Sequence, residues 1–433
     1  MSIYFGTDGI RGEYNKTLTP SLAEKVGNAL SQVKNRPRIL IGHDTRISSD
    51  VLTIALATGA IKGGATVVNV GIIPTAGVSF LTESEHFDFG VVITASHNPP
   101  SYNGIKVFGP NGQKLSEKEE CALEDYIKSD FVTELCGKYK HFEKLSYKYV
   151  EHLLSSTKTD LQGLTVCLDA SNGASFAIAP RTFKKLNAKV IKCSCKNNGR
   201  KINVGCGSLH IENLRQKVLE SHADVGFAFD GDADRVIAVS SSGEVFDGDK
   251  LLYILAINMQ KKNQLYGNSV VGTSHTNSGL MLGLGKHKIN LIRTDVGDKY
   301  VIEAMQKLNL SLGGEQSGHI IIKDFAQSGD GILSAIKICE IIKENGMTLD
   351  QLFDAKLIPQ ANLDIVVPDK IKILNNERLN NFLQKIANEI SPAGRVLVRA
   401  SGTENKIRVM VEHPTLAEAQ NYADMIKTEI EQI

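Results

Sequence analysis

The chain has 433 residues, with 49 Lys and Arg against 48 Asp and Glu. At ~100–200 residues per domain that length implies roughly two to four domains. A balance this close to zero gives no long-range field for gripping nucleic acid or an anionic membrane surface, so anionic ligands must be held by local arginines and amides. Seven cysteines occur without a C-x-x-C pair. The nearest group, Cys193, Cys195 and Cys206, lacks the spacing of a zinc site, and the thiols read as a reduced intracellular set. With no basic start leading into an apolar stretch and no run of ~18 apolar residues, the expected location is the cytoplasm.

In chain order, Phe5-Gly6-Thr7-Asp8-Gly9-Ile10-Arg11-Gly12 comes first. Its glycines predict a tight turn that presents Arg11, a guanidinium suited to gripping phosphate bidentately or, failing that, to a surface ion pair. Thr19 and Pro20 open a helix with an apolar face of Leu22, Val26, Ala29, Leu30 and Val33. A strand over 38–42, a polar turn, a helix over 49–62 and a strand over 65–70 then make a βαβ unit. Next, the apolar run 89–93 stops abruptly at Thr94-Ala95-Ser96-His97-Asn98-Pro99-Pro100. Two prolines forbid continuation of the ladder, which places Ser96 on a stiff exposed loop at a strand's carboxyl end, where open α/β sheets carry chemistry. Taken alone, Ser96 is a turn serine with His97 as the nearest base. The charged stretch 116–149 is mostly helical in pattern.

The strand, polar turn, helix and strand order returns over 164–191 and again over 269–294. Three copies predict three related α/β domains with mixed sheets, at 1–150, 151–247 and 248–360. Hairpin strands and helices over 361–433 alternate differently and predict a smaller α+β domain.

Asp230-Gly231-Asp232-Ala233-Asp234-Arg235 follows the apolar strand 225–229. Three carboxylates so close repel one another unless a cation sits among them, and oxygen ligands point to a hard ion, magnesium or calcium. An EF-hand loop would need Gly and Glu where Arg235 and Ser241 stand. An aspartyl-phosphate enzyme using Asp230 remains a rival. Gly313-Gly314-Glu315-Gln316-Ser317-Gly318-His319 offers Glu315 and Ser317 to sugar hydroxyls, with His319 either a general acid–base group or merely hydrogen-bonded. Arg399 to Arg408 encloses hydroxyls and a glycine, either a monoanion cradle or a salt-bridged hairpin turn, and lacks the order of a P-loop.

Together these motifs resemble the α-D-phosphohexomutase superfamily along the whole chain. The likeness rests on 5–12, Ala95 to Pro99, Asn103-Gly104-Ile105-Lys106, Asp230 to Arg235, Gly314 to His319, and Arg399 to Arg408. It implies three α/β domains and a fourth that closes over a central cleft. By the same resemblance Ser96 is the phosphoserine, and Asp230, Asp232 and Asp234 hold one Mg2+ per subunit with that phosphoserine as fourth ligand. Arg11 and Arg235 flank the reacting phosphoryl group beside His97, while Lys106 and His319 match positions of proton transfer. Glu315 and Ser317, and with them Gly297 and Asp298, match sugar contacts; Arg399, Ser401, Gly402, Thr403 and Arg408 match the grip on the distal phosphate.

The opening motif, Gln316 and the compact length favour the amino-sugar branch over the phosphomannomutase/phosphoglucomutase branch. The implied reaction interconverts glucosamine 6-phosphate and glucosamine 1-phosphate, feeding UDP-N-acetylglucosamine and cell-wall precursor synthesis. It is primed by glucosamine 1,6-bisphosphate or a kinase, in a protein with no nucleic-acid or membrane partner and a homodimer as its expected assembly. A metal-dependent sugar phosphatase and a phosphosugar-binding protein are the rivals of other classes. Two departures stand out. Ala233 replaces a common glycine and is expected to fit if its φ is negative, and Asn405 replaces a usual proline in the phosphate loop.

Overall fold

The computed structural model describes residues 4–6, 8–129, 135–401 and 405–433. Each predicted βαβ repeat forms and seeds its own sheet. Strands Arg38–His43 and Thr66–Ile72 pair in parallel around helix Ser49–Lys62. Thr165–Asp169 and Lys189–Cys193 do so around Ile178–Lys185, and Ser269–Thr273 and Asn290–Thr294 around Ser278–Lys286. A parallel pair needs such a crossover, and the crossover helix covers one face of the sheet it spans.

All three sheets are mixed. In the first, of seven strands, Phe89–Ile93 joins the parallel set, and Tyr102–Phe108 then runs antiparallel to it. In the second, of five strands, Val225–Phe229 lies parallel to Thr165–Asp169 and antiparallel to Val236–Ser240. In the third, of four strands, Leu312–Gly314 and Ile320–Ile322 make a hairpin at one edge. The C-terminal sheet has three antiparallel strands, Gln360–Val366, Lys406–Glu412 and Arg395–Ala400, packed by helices Glu377–Ile390 and Leu416–Glu431. Three α/β units and a C-terminal α+β unit are thus the observed architecture. One apolar cluster runs continuously from Leu40 to Leu349 through the first three units, whereas Ala361 to Ile430 make a separate core.

Four local expectations need correction. The glycine-rich opening is a hairpin, Phe5–Gly6 against Gly9–Glu13, and Arg11 lies on a strand paired with Gly104 rather than in a turn; alternate burial of Ile10 and Gly12 gives that strand an inner face. Within 116–149, helix Glu117–Lys128 is followed by strand Lys138–His141, which completes the first sheet beside Thr66–Ile72, and helix Ser146–Ser155 runs across residue 150. Charged residues on an edge strand gave that segment its helix-like pattern. Val33 is exposed because the first helix, Pro20–Val33, turns its last residue past the core. Ser96 is 1% exposed, since residues of the second unit cover its loop.

Candidate active site

The strand Phe89–Ile93 delivers Ser96 at its carboxyl end in a left-handed backbone conformation, φ 50°. That geometry costs a residue with a Cβ about 1–2 kcal/mol and must be imposed from outside. Arg46 imposes it from within the same sheet. Buried and paired with Asp44, its guanidinium donates to the Ser96, Asn98 and Tyr102 carbonyls at 3.0, 2.8 and 2.9 Å. Asn203 does the same from the second unit, donating to the Ser96 and Asn98 carbonyls at 2.8 and 3.0 Å. The Ser96 hydroxyl then points at the acidic loop and donates to Asp230 Oδ2 at 2.6 Å. His97 Nδ1 lies 3.3 Å from that hydroxyl. Burial, then the charges of Arg235 and Arg11, hold the His97 ring down to about 4.

Asp230, Asp232 and Asp234 follow the buried strand Val225–Phe229 and are themselves buried, with one oxygen from each lying within 4.8 Å of the others. Thr75, from the first unit, braces the loop by donating its hydroxyl to Asp232 Oδ2 at 2.6 Å and its amide to the Asp232 carbonyl at 3.0 Å. Burial and the two neighbouring carboxylates push Asp230 well above the usual range. Asp232 Oδ1 and Asp234 Oδ1 are buried with no hydrogen-bond partner. Orphaned carboxylate oxygens in a group of three are costly unless a cation takes them, so the residues fit a hard divalent ion. Ala233, at φ 57°, does not meet the expectation of a negative φ; the loop must reverse there to aim both flanking carboxylates the same way.

Lysine, arginine and histidine close the ring. Lys106 Nζ lies 2.8, 3.0 and 3.0 Å from Asp232, Asp234 and Asp8. Burial disfavours its charge, yet the three carboxylates outweigh that and hold it firmly as an ammonium. Arg11 bonds Asn98 at 3.2 Å and pairs with Asp8. Asp8 also meets Lys114, and Lys114 reaches across to Asp298. Arg235 donates its amide to Asp230 Oδ1 at 3.2 Å. His319 faces Asp234 at 3.8 Å and Asp298 at 3.6 Å. Burial opposes its charge while both carboxylates favour it and raise its pKa, and the Gly329 amide, 3.1 Å from Nε2, works against protonation there.

Glu315 and Ser317 sit in the loop between Leu312–Gly314 and Ile320–Ile322, and Glu315 accepts the Gly297 amide at 3.1 Å beside Asp298. The Ser317 hydroxyl is buried without a partner. The Arg235 backbone bridges His319 and the Gln316 side chain reaches Gln360 at 3.1 Å, so the 315–319 loop lies between the acidic loop and the last domain. There Arg399 and Arg408 are direct cross-strand partners. Burial and the facing Arg408 lower the Arg399 pKa from its ordinary value. Such like-charge pairing favours an anion between them. Ser401 is buried beside them, while Gly402 and Thr403 lie outside the described residues.

The sequence reading missed Asp8, Arg46, Thr75, Lys114, Asn203 and His275, whose Nε2 accepts Arg399 Nε at 3.0 Å. Asp8, Arg46 and His275 lay inside polar turns of the repeats and the opening motif, but nothing local marked the others.

Comparison with known proteins accounts for nearly the whole chain. Profiles described as phosphoglucomutase/phosphomannomutase alpha/beta/alpha domains I, II and III match residues 2–133, 147–243 and 247–358, and the C-terminal domain of that family matches 363–429. A phosphoglucosamine mutase of Caldanaerobacter subterraneus subsp. tengcongensis is 45% identical over 99% of this chain and 100% of its own. One from Staphylococcus epidermidis is 41% identical over 100% and 98%. Among solved structures, a phosphoglucomutase/phosphomannomutase family protein of Burkholderia thailandensis superposes with a TM-score of 0.87 at 24% identity, covering 99% of this chain and 97% of that one.

Proposed function

The chain belongs to the phosphoglucomutase/phosphomannomutase family, and from that premise we propose that it interconverts glucosamine 6-phosphate and glucosamine 1-phosphate. The observation that carries the reading is the Ser96 hydroxyl held 2.6 Å from Asp230 inside a buried three-carboxylate group, with the 315–319 loop between it and the facing Arg399 and Arg408. The full-length relatives named for the amino-sugar reaction support the choice of substrate. The domain division, with the expected bounds at 150 and 360 shifted to the starts of helix Ser146–Ser155 and strand Gln360–Val366 and the bound at 247 kept, and the cytoplasmic location are proposed on the same footing.

Asp230, Asp232 and Asp234 would hold one magnesium ion with an oxygen of phosphorylated Ser96, and that ion, when bound, draws charge from the phosphoryl group. Arg11 and Arg235 act on the same group from either side. Glu315 and Ser317 orient the sugar by its hydroxyls. As the free sugar hydroxyl attacks, the new P–O bond forms and the bond to Ser96 Oγ breaks, with a proton delivered to Oγ so that it leaves as the hydroxyl. The hydroxyl proton passes to whichever of Lys106 and His319 has released its own proton to solvent, once the carboxylates that hold its charge take up other partners. The resulting bisphosphate turns end for end, and its other phosphate returns to Ser96 while Arg399, Ser401 and Arg408 grip the distal one. A free serine hydroxyl cannot begin the cycle, so a sugar bisphosphate or a kinase must prime it.

The test is a coupled assay on glucosamine, glucose and mannose phosphates with the protein and with Ser96→Ala. Interconversion of the glucosamine phosphates is expected, falling on the order of 10³-fold or more in the variant. Full activity without Ser96 would sink the phosphoserine mechanism. Faster turnover of glucose 1-phosphate would overturn the substrate, and release of inorganic phosphate would favour a phosphatase.

A further inference from the structure

Gln316 lies between the two residues assigned to the sugar, yet its side chain turns away from the reacting centre. Its Nε2 donates to Gln360 Oε1 at 3.1 Å. Its backbone carbonyl accepts the Gly248 amide at 3.0 Å. Gln360 is the first residue of the strand that opens the last domain. Its own Nε2 continues to Glu412 Oε1 at 2.8 Å and to the His275 carbonyl at 3.3 Å. Glu412 is fully buried; it holds the Ser278 amide at 3.1 Å and Arg395 at 2.9 and 3.1 Å. The His275 ring accepts Arg399. An unbroken file of hydrogen bonds therefore leads from the sugar loop to the phosphate-gripping arginine.

The Gln360 amide nitrogen spends both its hydrogens in this file and its oxygen accepts Gln316, so the Gln360 side chain cannot rotate without stranding a polar group between the domains. The last domain has its own apolar core. Its placement against the rest thus falls to polar contacts of this kind, as in other interdomain contacts that permit relative motion.

We propose that Gln316 and Gln360 are a pair of positioning residues that couple the sugar loop to the last domain, holding the phosphate cradle in register with the sugar while the bisphosphate turns. The inference rests on the mutase reading above. Its functional consequence is retention of the bisphosphate, which a purely structural contact would not control.

The experiment compares the full-length protein with Gln316→Met, Gln360→Met and the double variant, each checked for cooperative unfolding. The quantities measured are kcat, KM for glucosamine 6-phosphate, and free sugar bisphosphate released per turnover from enzyme carrying labelled phosphate on Ser96. Gln316→Met is expected to raise KM and bisphosphate release roughly fivefold, the equivalent of one lost hydrogen bond, and Gln360→Met by more, since it also gives up the bonds to Glu412 and the His275 carbonyl, with kcat nearly unchanged in both. The double variant should be no worse than Gln360→Met alone, because that change already breaks the link through which Gln316 acts. Unchanged release in the singles, or effects that multiply in the double, would overturn the coupling. If Gln316→Met does not fold, Gln360→Met decides the matter from the other end. A wild type that interconverts no hexosamine phosphate removes the mutase reading and the coupling with it, whereas active wild type with unaffected variants removes the coupling alone.

Discussion

The reacting centre and the distal phosphate cradle are held by opposite means. Around Ser96 the groups are buried and cross-braced between two units, Asn203 onto the Ser96 carbonyl and Thr75 onto Asp232, within a shared apolar core. In the last domain Arg399 and Arg408 are only half buried and face each other across two strands of a unit with a separate core. The first site concentrates negative charge and is built for a cation; the second concentrates positive charge and is built for an anion. On the proposed reaction, one end of the substrate would meet a frame shared by two units, while the other would meet a grip carried by a unit with its own core. Two-way binding of a bisphosphate needs both.

The comparison breaks most severely at the metal group. Asp232→Asn keeps the Thr75 and Lys106 contacts within reach but removes a charge, and magnesium-dependent mutase activity should fall at least about 100-fold with the unfolding midpoint nearly unchanged. Full activity in chelator would refute a metal role. Arg399→Ala and Arg408→Ala should act differently. Each removes a charge-assisted bond worth about 1.5–3 kcal/mol, raising KM roughly 10- to 100-fold, with a smaller change in transfer of phosphate from Ser96 measured in a single turnover. Equal losses in both quantities would mean the two ends are not separate.

Acid sharpens the contrast further. His275 is held down to about 4, against an ordinary 6.5, by burial and by Arg399, Arg395 and Arg408. Between those values the unfolded ring takes a proton that the folded ring refuses. This contribution to stability is therefore full above pH 6.5 and declines as pH falls toward 4. Hydrogen exchange on strand Arg395–Ala400, compared between about pH 7 and about pH 5, should show that decline, and His275→Gln should flatten it. The smallest effect belongs to Ala233. Ala233→Gly relieves a left-handed alanine, about 1 kcal/mol, but gives up one buried methyl, about 0.8 kcal/mol, so the urea midpoint should scarcely move. Ala233→Val, β-branched at positive φ, should lose about 2 kcal/mol or more.

The sequence by itself determined what short-range chemistry can write. Alternating apolar runs, capping residues and turn signals marked the three βαβ repeats, the strand that ends at Ser96, the aspartates delivered after another strand, and the hairpins that carry Glu315 and Arg399. These features depend on neighbours a few positions away, and their periodicity survives in the chain as text. Only the tertiary structure decided that Ser96 is buried rather than exposed, that Arg11 stands on a strand, and that Arg399 and Arg408 are opposed partners. It alone joined Ser96 to Asp230 across 134 positions, Lys106 to Asp232 across 126, and Gln316 to Gln360 across 44. Such meetings follow from which faces of which sheets pack together, and a polar residue carries no local mark of a partner that distant; its type shows what it can bond, and the packing settles with what.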